Sequence, residues 1–145
     1  MSFPLNALQA GIYSRLTGYS ALTTALGGSK VYDHVPQDTD APFVVIGDDT
    51  AIDFDTKSNN GWEITLTIHC WDFEKAGRKS IKNIMGHIYD ALHKSESNIT
   101  VTGFSLIYMQ QEYSESFQDT TIEGANDHYY HGVQRFRALI TDTTY

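Results

Sequence analysis

The fold is decided by two neighbouring stretches, GWEITLTIHCWD at residues 61–72 and GRKSIKNIMGHIYDALH at residues 77–93. In the first, apolar side chains alternate with polar ones, a period of two that is typical of a β-strand with one apolar face. In the second, apolar side chains recur every three or four residues, which is the spacing of an amphipathic helix. The apolar positions are Trp62, Ile64, Leu66, Ile68 and Cys70 in the strand, and Ile81, Ile84, Met85, Ile88 and Leu92 in the helix. We predict that these two apolar faces pack together, and that the strand's other face is exposed to solvent or covered by a partner.

The segments before this pair predict two helices and one more strand. The first helix has one apolar face and ends before Gly18; its apolar residues are Leu5, Leu8, Ile12 and Leu16. A short helical piece follows at residues 21–26 and stops at Gly27. Residues 43–47 form a compact apolar run that is typical of a buried strand. We predict that the polar residues 48–60 form a loop connecting this strand to the Trp62 strand.

The segments after the second long helix predict two strands and a long loop. Residues 99–113 have strand-forming composition, with Leu106 and Tyr108 on one face and Met109 on the other. Residues 111–127 are polar and acidic, and we predict a loop or a flexible hairpin there. Residues 129–141 form the closing strand, whose two faces carry Phe136 and Arg135 respectively. Four aromatic side chains fit either the core or an interface, namely Trp71, Tyr108, Tyr113 and Phe117.

The order of elements predicts an α+β two-layer sandwich. Two hairpin-like strand pairs separated by a helix favour an antiparallel sheet of about four strands, with two main helices packed on one face. The 145 residues are enough for one domain spanning residues 1–145 with its own core. No apolar run approaches the ~18 residues of a membrane span, so we expect no membrane partner. Cys70 lies on the predicted apolar face, and we expect a reduced core thiol.

The net charge of −8 is unevenly distributed along the sequence. No Lys or Arg occurs between Lys30 and Lys57, where seven acids do, and none occurs at residues 95–134. Four basic residues form instead a cluster at Lys75, Arg78, Lys79 and Lys82, called the basic cluster below. Direct binding of nucleic acid by phosphate neutralisation depends on Lys and Arg clustered over an electropositive surface, so this distribution disfavours it.

The basic cluster lies near the predicted N-terminus of the second long helix. Positive charge opposes the helix macrodipole there, at a cost of about 0.3–1 kcal/mol per exposed residue. One interpretation is that Arg78 and Lys79 bind an acidic loop of a neighbouring subunit. The other is that they belong to a merely solvated helix face.

A metal-dependent hydrolase is the alternative from another functional class. His128 and His131 bring two imidazoles close in sequence, but residues three apart in a strand point to opposite faces. The acids at Asp48, Asp49, Asp53 and Asp55 lack the calcium-loop spacing that ends in a glutamate. The sequence contains neither a Gly-x-Ser-x-Gly elbow nor a phosphate-binding glycine-rich loop. We therefore expect no catalytic residues, no metal and no cofactor.

Five segments resemble one known family. They are VYDHVPQ at residues 31–37, APFVVIG at 41–47, WEITLTIHCW at 62–71, the helix at 77–93 and YHGVQRFR at 130–137. In combination they are similar to the tail-completion proteins of long-tailed bacteriophages, from about residue 31 to residue 141. Each segment is mostly core patterning, and the family supplies no catalytic residues to carry over.

The resemblance implies a structural role at the head-proximal end of a phage tail. Members of the family form a ring, commonly hexameric, that caps the tail tube, stops its polymerisation and offers a surface to the head connector. The implied partners are further copies of the chain, the major tail tube protein and the head-completion or connector proteins, while DNA passes through without being specifically bound. The implied location is the virion tail, assembled in the bacterial host cytoplasm. A connector-side adaptor or a minor tail protein of the same fold is the nearest alternative.

We expect subunit, tube or connector contacts at the polar loops, the basic cluster and the outward-pointing arginines of the last strand. The residues are Asp53, Asp55, Lys57, Lys75, Arg78, Lys79, Lys82, Glu115, Phe117, Asp119, Arg135 and Arg137. Acids facing the channel of such a ring would repel DNA rather than bind it.

Overall fold

A computed structural model describes residues 3–57, 59–119 and 129–142 of the chain. The α-helices within these ranges are α1 (Leu5–Thr17), α2 (Ser20–Leu26) and α3 (Gly77–Leu92). The strands are β1 (Val31–Tyr32), β2 (Phe43–Asp53), β3 (Gly61–Phe73), β4 (Phe104–Asp119) and β5 (Tyr129–Asp142). Two short 3₁₀ turns lie at Glu74–Ala76 and Glu96–Asn98.

The strands form one sheet in the order β1-β2-β3-β5-β4. The pairs β2–β3, β3–β5 and β4–β5 are antiparallel, so the two predicted hairpins are confirmed. The prediction of about four strands is wrong, because β1 adds a fifth strand parallel to β2 through Val31 and Tyr32. Two residues are too short for any periodicity to show in the sequence.

The helices form the second layer of the sandwich. α3 buries Ile81, Ile84, Ile88 and Leu92, and Met85 packs against the same core, as its spacing predicts. α1 buries Leu8, Ile12 and Leu16. The prediction of an α+β fold with two main helices on the sheet is confirmed, and α2 is the short piece predicted beside them. None of the described helices is long and apolar enough to cross a membrane.

The core lies between the helices and the inward residues of the central strands. In β3 every second residue from Trp62 to Cys70 is buried, which confirms the period-two pattern. In β5 the inward residues are Gln134, Phe136, Ala138 and Ile140. Cys70 is a free, buried thiol, and burial raises its pKa to about 12. The thiol is therefore protonated and inert at neutral pH, as expected.

Two segments predicted as loops belong instead to strands. Residues 48–53 continue β2, and residues 111–119 continue β4. Both extensions lie at edges of the sheet and carry polar side chains on both faces, so the alternation typical of a strand is absent from the sequence. The rest of the second predicted loop, residues 120–127, lies outside the described residues.

Irregular pairing along β4 reverses one prediction about its faces. The register shifts between Leu106 and Tyr108, where Ile107 is the extra residue. Tyr108 consequently lies opposite Leu139, and Met109 lies opposite Ala138 and is fully buried. The prediction that Tyr108 shares a face with Leu106 is wrong, because a one-residue bulge moves every later side chain to the other face.

Candidate interaction surface

The sheet face opposite the helices, called the open face below, carries a row of aromatic side chains. The strand register places Phe43 beside Trp71, Trp71 beside His131, and His131 beside Phe117. Tyr32 on β1 extends the row beyond Phe43. Each of the five strands therefore contributes one ring to this aromatic row, and none of the five residues is buried by the described part of the chain.

The rings of the aromatic row contact one another. Their centroids lie 5.3 Å apart for Phe43 and Trp71, 4.2 Å for Trp71 and His131, and 4.9 Å for His131 and Phe117. Trp71 is stacked with both of its neighbours, at interplanar angles of 29° and 19°. The indole faces are thus covered by neighbouring rings, so Trp71 offers solvent its edge.

This geometry argues against a nucleic-acid platform. Proteins that hold single strands stack bases on the free faces of aromatic side chains beside a positively charged groove. Here Trp71 lies between Phe43 and His131, which occupy the positions that a base would need. A ridge of ring edges fits instead a second apolar protein surface, since aromatic residues are enriched in such contacts.

A histidine pair stands beside the aromatic row. The Nδ1 atom of His69 lies 2.9 Å from the Nε2 atom of His131, so one ring donates a hydrogen bond to the other. The His69 ring also lies over Gly47, where an added Cβ would come within 2.8 Å of it. Burial lowers the pKa of His69, and the nearby Asp48 carboxylate partly offsets this effect. Both observations favour a neutral His69 at neutral pH.

Further along the open face lies a band of charged and hydroxyl groups. The Nε atoms of Arg135 and Arg137 lie 3.2 Å and 4.0 Å from the carboxylate of Glu112, an exposed residue in the second bulge of β4. The Tyr113 hydroxyl donates a hydrogen bond to Glu115, and this bond raises the pKa of Tyr113. Exposed pairs of this kind contribute little to stability, so these side chains are surface groups that do not hold the core together.

The basic cluster lies at the same end of the sheet as the aromatic row. The Nζ atom of Lys75 lies 5.2 Å from the centroid of the Phe73 ring, and the Arg78 guanidinium lies 4.9 Å from that of the Tyr130 ring. Lys79 and Lys82 are exposed on α3. These cation–π contacts hold positive charge near the helix N-terminus despite the opposing macrodipole.

The loop between β2 and β3 lies at the opposite end of the sheet. Residues 52–57, called the hairpin tip below, expose two large apolar side chains, with Ile52 65% exposed and Phe54 57% exposed. Asp53 and Lys57 are exposed as well. Asp55 has a structural role, because its Oδ1 atom accepts a hydrogen bond of 3.2 Å from the Gly61 amide and closes the loop.

The predicted interface residues therefore fall into two groups. Arg135, Arg137, Glu115 and Phe117 share the open face, and Lys75 adjoins its aromatic end. Arg78 instead contacts Tyr130 on the helix-covered face. Asp53, Asp55 and Lys57 lie at the far end, in or beside the hairpin tip. Asp119 pairs with Tyr129 through the backbone, while its side chain lies outside the described part.

The sequence did not single out most of the aromatic row. The sequence assigns Trp71 and Phe117 to either the core or an interface, and in the structure both lie on the open face. Tyr32, Phe43 and His131 join them only through the strand register, which no local pattern specifies. The hairpin tip's Ile52 and Phe54 gave a usable signal, since apolar residues inside a polar segment are typical of contact sites.

An open groove lies between α1 and residues 98–104. It has a volume of about 940 Å³ and is lined by Phe3, Arg15, Phe104 and Asp142 among others. Asp142 is buried, and its Oδ1 atom has no hydrogen-bond partner within the described residues. The groove is broad and open, and no cluster of reactive groups lines it.

The metal-site alternative gains no support from the structure. Within the described ranges, no three His, Cys, Asp or Glu side chains are arranged to hold a metal ion. His131 contacts His69, Trp71 and Phe117, while His128 lies outside the described residues.

Comparison with known proteins identifies the family. The family described as "Tail completion protein gp17" matches residues 10–141 of the chain. The tail completion protein gp17 of Bacillus phage SPP1 is 27% identical over 136 residues, which cover 94% of this chain and 93% of that protein. A chain in the solved virion of the native gene transfer agent particle has the same fold, with a TM-score of 0.82 at 21% identity, over 97% of this chain and 99% of that chain.

These findings confirm the resemblance and decide between the functional classes. The matched segment contains α2 and α3, most of α1, the described strands except the last residue of β5, and the aromatic row. The expectation that the chain is not an enzyme is confirmed by the nature of the family, and not by any absence in the structure. The chain belongs to the tail completion protein gp17 family, whose members are structural proteins of phage tails.

Proposed function

We propose that the chain completes a phage-type tail by closing the head-proximal end of the tail tube. Copies of the chain assemble into a ring, commonly of six in the family it belongs to, which stops tube polymerisation and provides the surface for head joining. The observation that carries this proposal is the family match over residues 10–141. The coverage of 93% of the SPP1 protein supports a shared role, since almost no part of that protein lacks a counterpart.

The distribution of surfaces supports a ring. A closed ring requires heterologous contacts, in which two different surfaces of each subunit meet. The aromatic row and the hairpin tip are two such surfaces, and they lie at opposite ends of the sheet. Trp62 lies beside the hairpin tip and Trp71 lies in the aromatic row. The length of β3 between these two residues puts the two surfaces about 30 Å apart at ~3.3 Å per residue.

The charge of the chain supports a passage for DNA rather than a binding site. Each subunit has a net charge of −8, so a ring of several copies is strongly negative. Nucleic-acid affinity depends on neutralising phosphates with clustered cations, and this chain has only the small basic cluster. The remaining partners under this proposal are the tail tube protein and the head-completion or connector proteins.

Electron microscopy of lysates from a parental phage or prophage that lacks the gene tests this proposal. A terminator predicts tails of variable, excessive length without heads, and complementation with the wild-type gene restores a single length. Tails of normal length beside filled heads would make the chain a joining factor or connector-side adaptor instead. Intact virions would contradict a role in tail completion.

A complementing gene that carries a substitution of one exposed residue outside the core and the open face serves as the matched control. Tyr13 on α1 is 45% exposed and lies away from the open face. A Tyr13→Ser gene is expected to restore tail length as well as the wild type does. A failure of this control would indicate that any small loss of protein produces the phenotype.

A further inference from the structure

We propose that the aromatic row of one copy of the chain binds the hairpin tip of the next copy, head to tail, and that this contact forms the interface of the assembled ring. The inference rests on the proposed function for the ring itself. It adds which two surfaces meet, by which side chains, and in which order.

Apolar complementarity is the first argument. The hairpin tip exposes Ile52 and Phe54 at 65% and 57%, a large apolar exposure for a loop of an acidic chain. The aromatic row offers a matching ridge that spans the five strands, about 19 Å at ~4.8 Å per strand. Phe117 at its end is 36% exposed. Each surface therefore has apolar area that a second protein surface would remove from water.

Charge complementarity is the second argument. The hairpin tip carries two acids, Asp53 and Asp55, among its apolar residues. Lys75 lies at the end of the aromatic row, over the Phe73 ring on the open face. An apolar surface with acidic groups thus faces an apolar surface with a basic group at its end. Complementary charges of this kind fix the register and suppress contacts between like surfaces.

The position of the two surfaces provides the order. They lie about 30 Å apart along the strands, so a copy that binds a neighbour's tip still presents its own tip to another neighbour. Contacts of this type continue from subunit to subunit, and they close into a ring when the rotation between neighbouring subunits adds up to a full turn. A tip that contacted another tip would place Asp53 against its own counterpart, which like-charge repulsion opposes.

Cysteine cross-linking in purified tails tests the contact directly. The double variants Phe54→Cys with Phe117→Cys and Phe54→Cys with Tyr32→Cys place a thiol on the tip and at either end of the aromatic row. Cys70 is buried and its raised pKa keeps it unreactive, so the introduced thiols dominate the reaction. With a short bismaleimide, at least one double variant is expected to give a ladder of covalent dimers, trimers and larger species.

Matched controls make the result specific. Phe54→Cys alone is expected to give no ladder, because tips do not meet. The pair Phe54→Cys with Tyr13→Cys is also expected to give none, since Tyr13 is equally exposed but lies on α1. A ladder from the Tyr13 pair, or its absence from both row pairs, would overturn the inference. Covalent dimers without larger species would also overturn it, since they indicate a two-fold contact.

A charge exchange gives independent evidence. Asp53→Lys and Lys75→Glu are each expected to lower the yield of completed tails by about tenfold or more, and the two together are expected to restore it in part. Additive loss in the double variant would contradict the pairing of these surfaces. Neither residue has a role in the core, so the folded protein is retained.

The two proposals fail in different ways. If the chain is present in tails but the row thiols cross-link to the tube protein, identified by mass spectrometry, the head-to-tail contact is overturned and tail completion stands. If the chain is absent from purified tails, tail completion itself is contradicted and the inference falls with it.

Discussion

The two faces of the sheet differ in chemistry and in the role that their side chains have. The face under the helices is largely apolar and closely packed, with Ile64, Phe136 and Ala138 fully buried. The open face, formed by the alternate residues of the same strands, carries stacked aromatics, a histidine pair and an arginine–glutamate band. Because side chains alternate along a strand, one sequence specifies both faces.

This difference separates stability from assembly. Substitutions under the helices remove packing that no other group replaces, so they lower the free energy of unfolding. Substitutions on the open face remove contacts that water partly replaces, so they leave the fold intact and act on assembly.

Phe136→Ala is expected to lower the free energy of unfolding by about 3–5 kcal/mol, because Phe136 is fully buried at the centre of β5. Phe117→Ala on the open face is expected to lower it by about 0.5–1.5 kcal/mol, the usual contribution of an aromatic pair. Urea unfolding followed by circular dichroism measures both. Equal losses would contradict the contrast between the two faces.

Gly132→Ala is expected to lower the free energy of unfolding by about 1–3 kcal/mol through overpacking. A Cβ at Gly132 would lie 2.7 Å from both the Cys70 and Met85 sulfur atoms, where α3 rests on the sheet. Gly86→Ala on the outer side of α3 meets no atom within 4 Å and is expected to raise stability by about 0.4–1 kcal/mol. Thermal melts of both variants measure these two changes in stability. A destabilised Gly86→Ala variant would contradict the placement of α3.

Acidification through the pH window that opens below about 6.5, the ordinary pKa of a histidine, is expected to lower the melting temperature. Burial holds the pKa of His69 in the folded chain below its ordinary value, so the unfolded chain binds the proton more readily in this window. Stability then rises with pH through the window and is fully present above it. A His69→Gln variant should show a shallower decline, and an unchanged decline would exclude His69 as the cause.

The paired variant Arg78→Glu and Lys79→Glu is expected to change the free energy of unfolding by less than about 0.5 kcal/mol. Negative charge near the N-terminus of α3 is favourable, and this gain offsets the lost contact between Arg78 and the Tyr130 ring. Completed tails are nevertheless expected to disappear. Unchanged assembly would show that the basic cluster is only a solvated helix face.

The sequence predicted the helix-covered half of the molecule well. The stripes of α1 and α3 and the inward residues of β3 and β5 follow periods that local chemistry sets. Cys70 was placed correctly for the same reason. These features depend on one face meeting one core, which a periodic pattern describes fully.

The open face was predicted poorly because it depends on register. The aromatic row forms only when Phe43, Trp71, His131 and Phe117 align across strands distant in sequence. The bulge at Ile107 moves Tyr108 onto this face without any glycine or proline to mark it. The sequence of residues 111–119 predicts a loop where β4 in fact continues, because an edge strand need not alternate.

Electron cryo-microscopy of intact tails containing the wild-type chain would show the contact itself. We expect a ring of this chain at the head-proximal end of the tube, with Trp71 and Phe117 of each copy covered by Ile52 and Phe54 of its neighbour. A ring in which the aromatic row faces solvent or the DNA channel would contradict it.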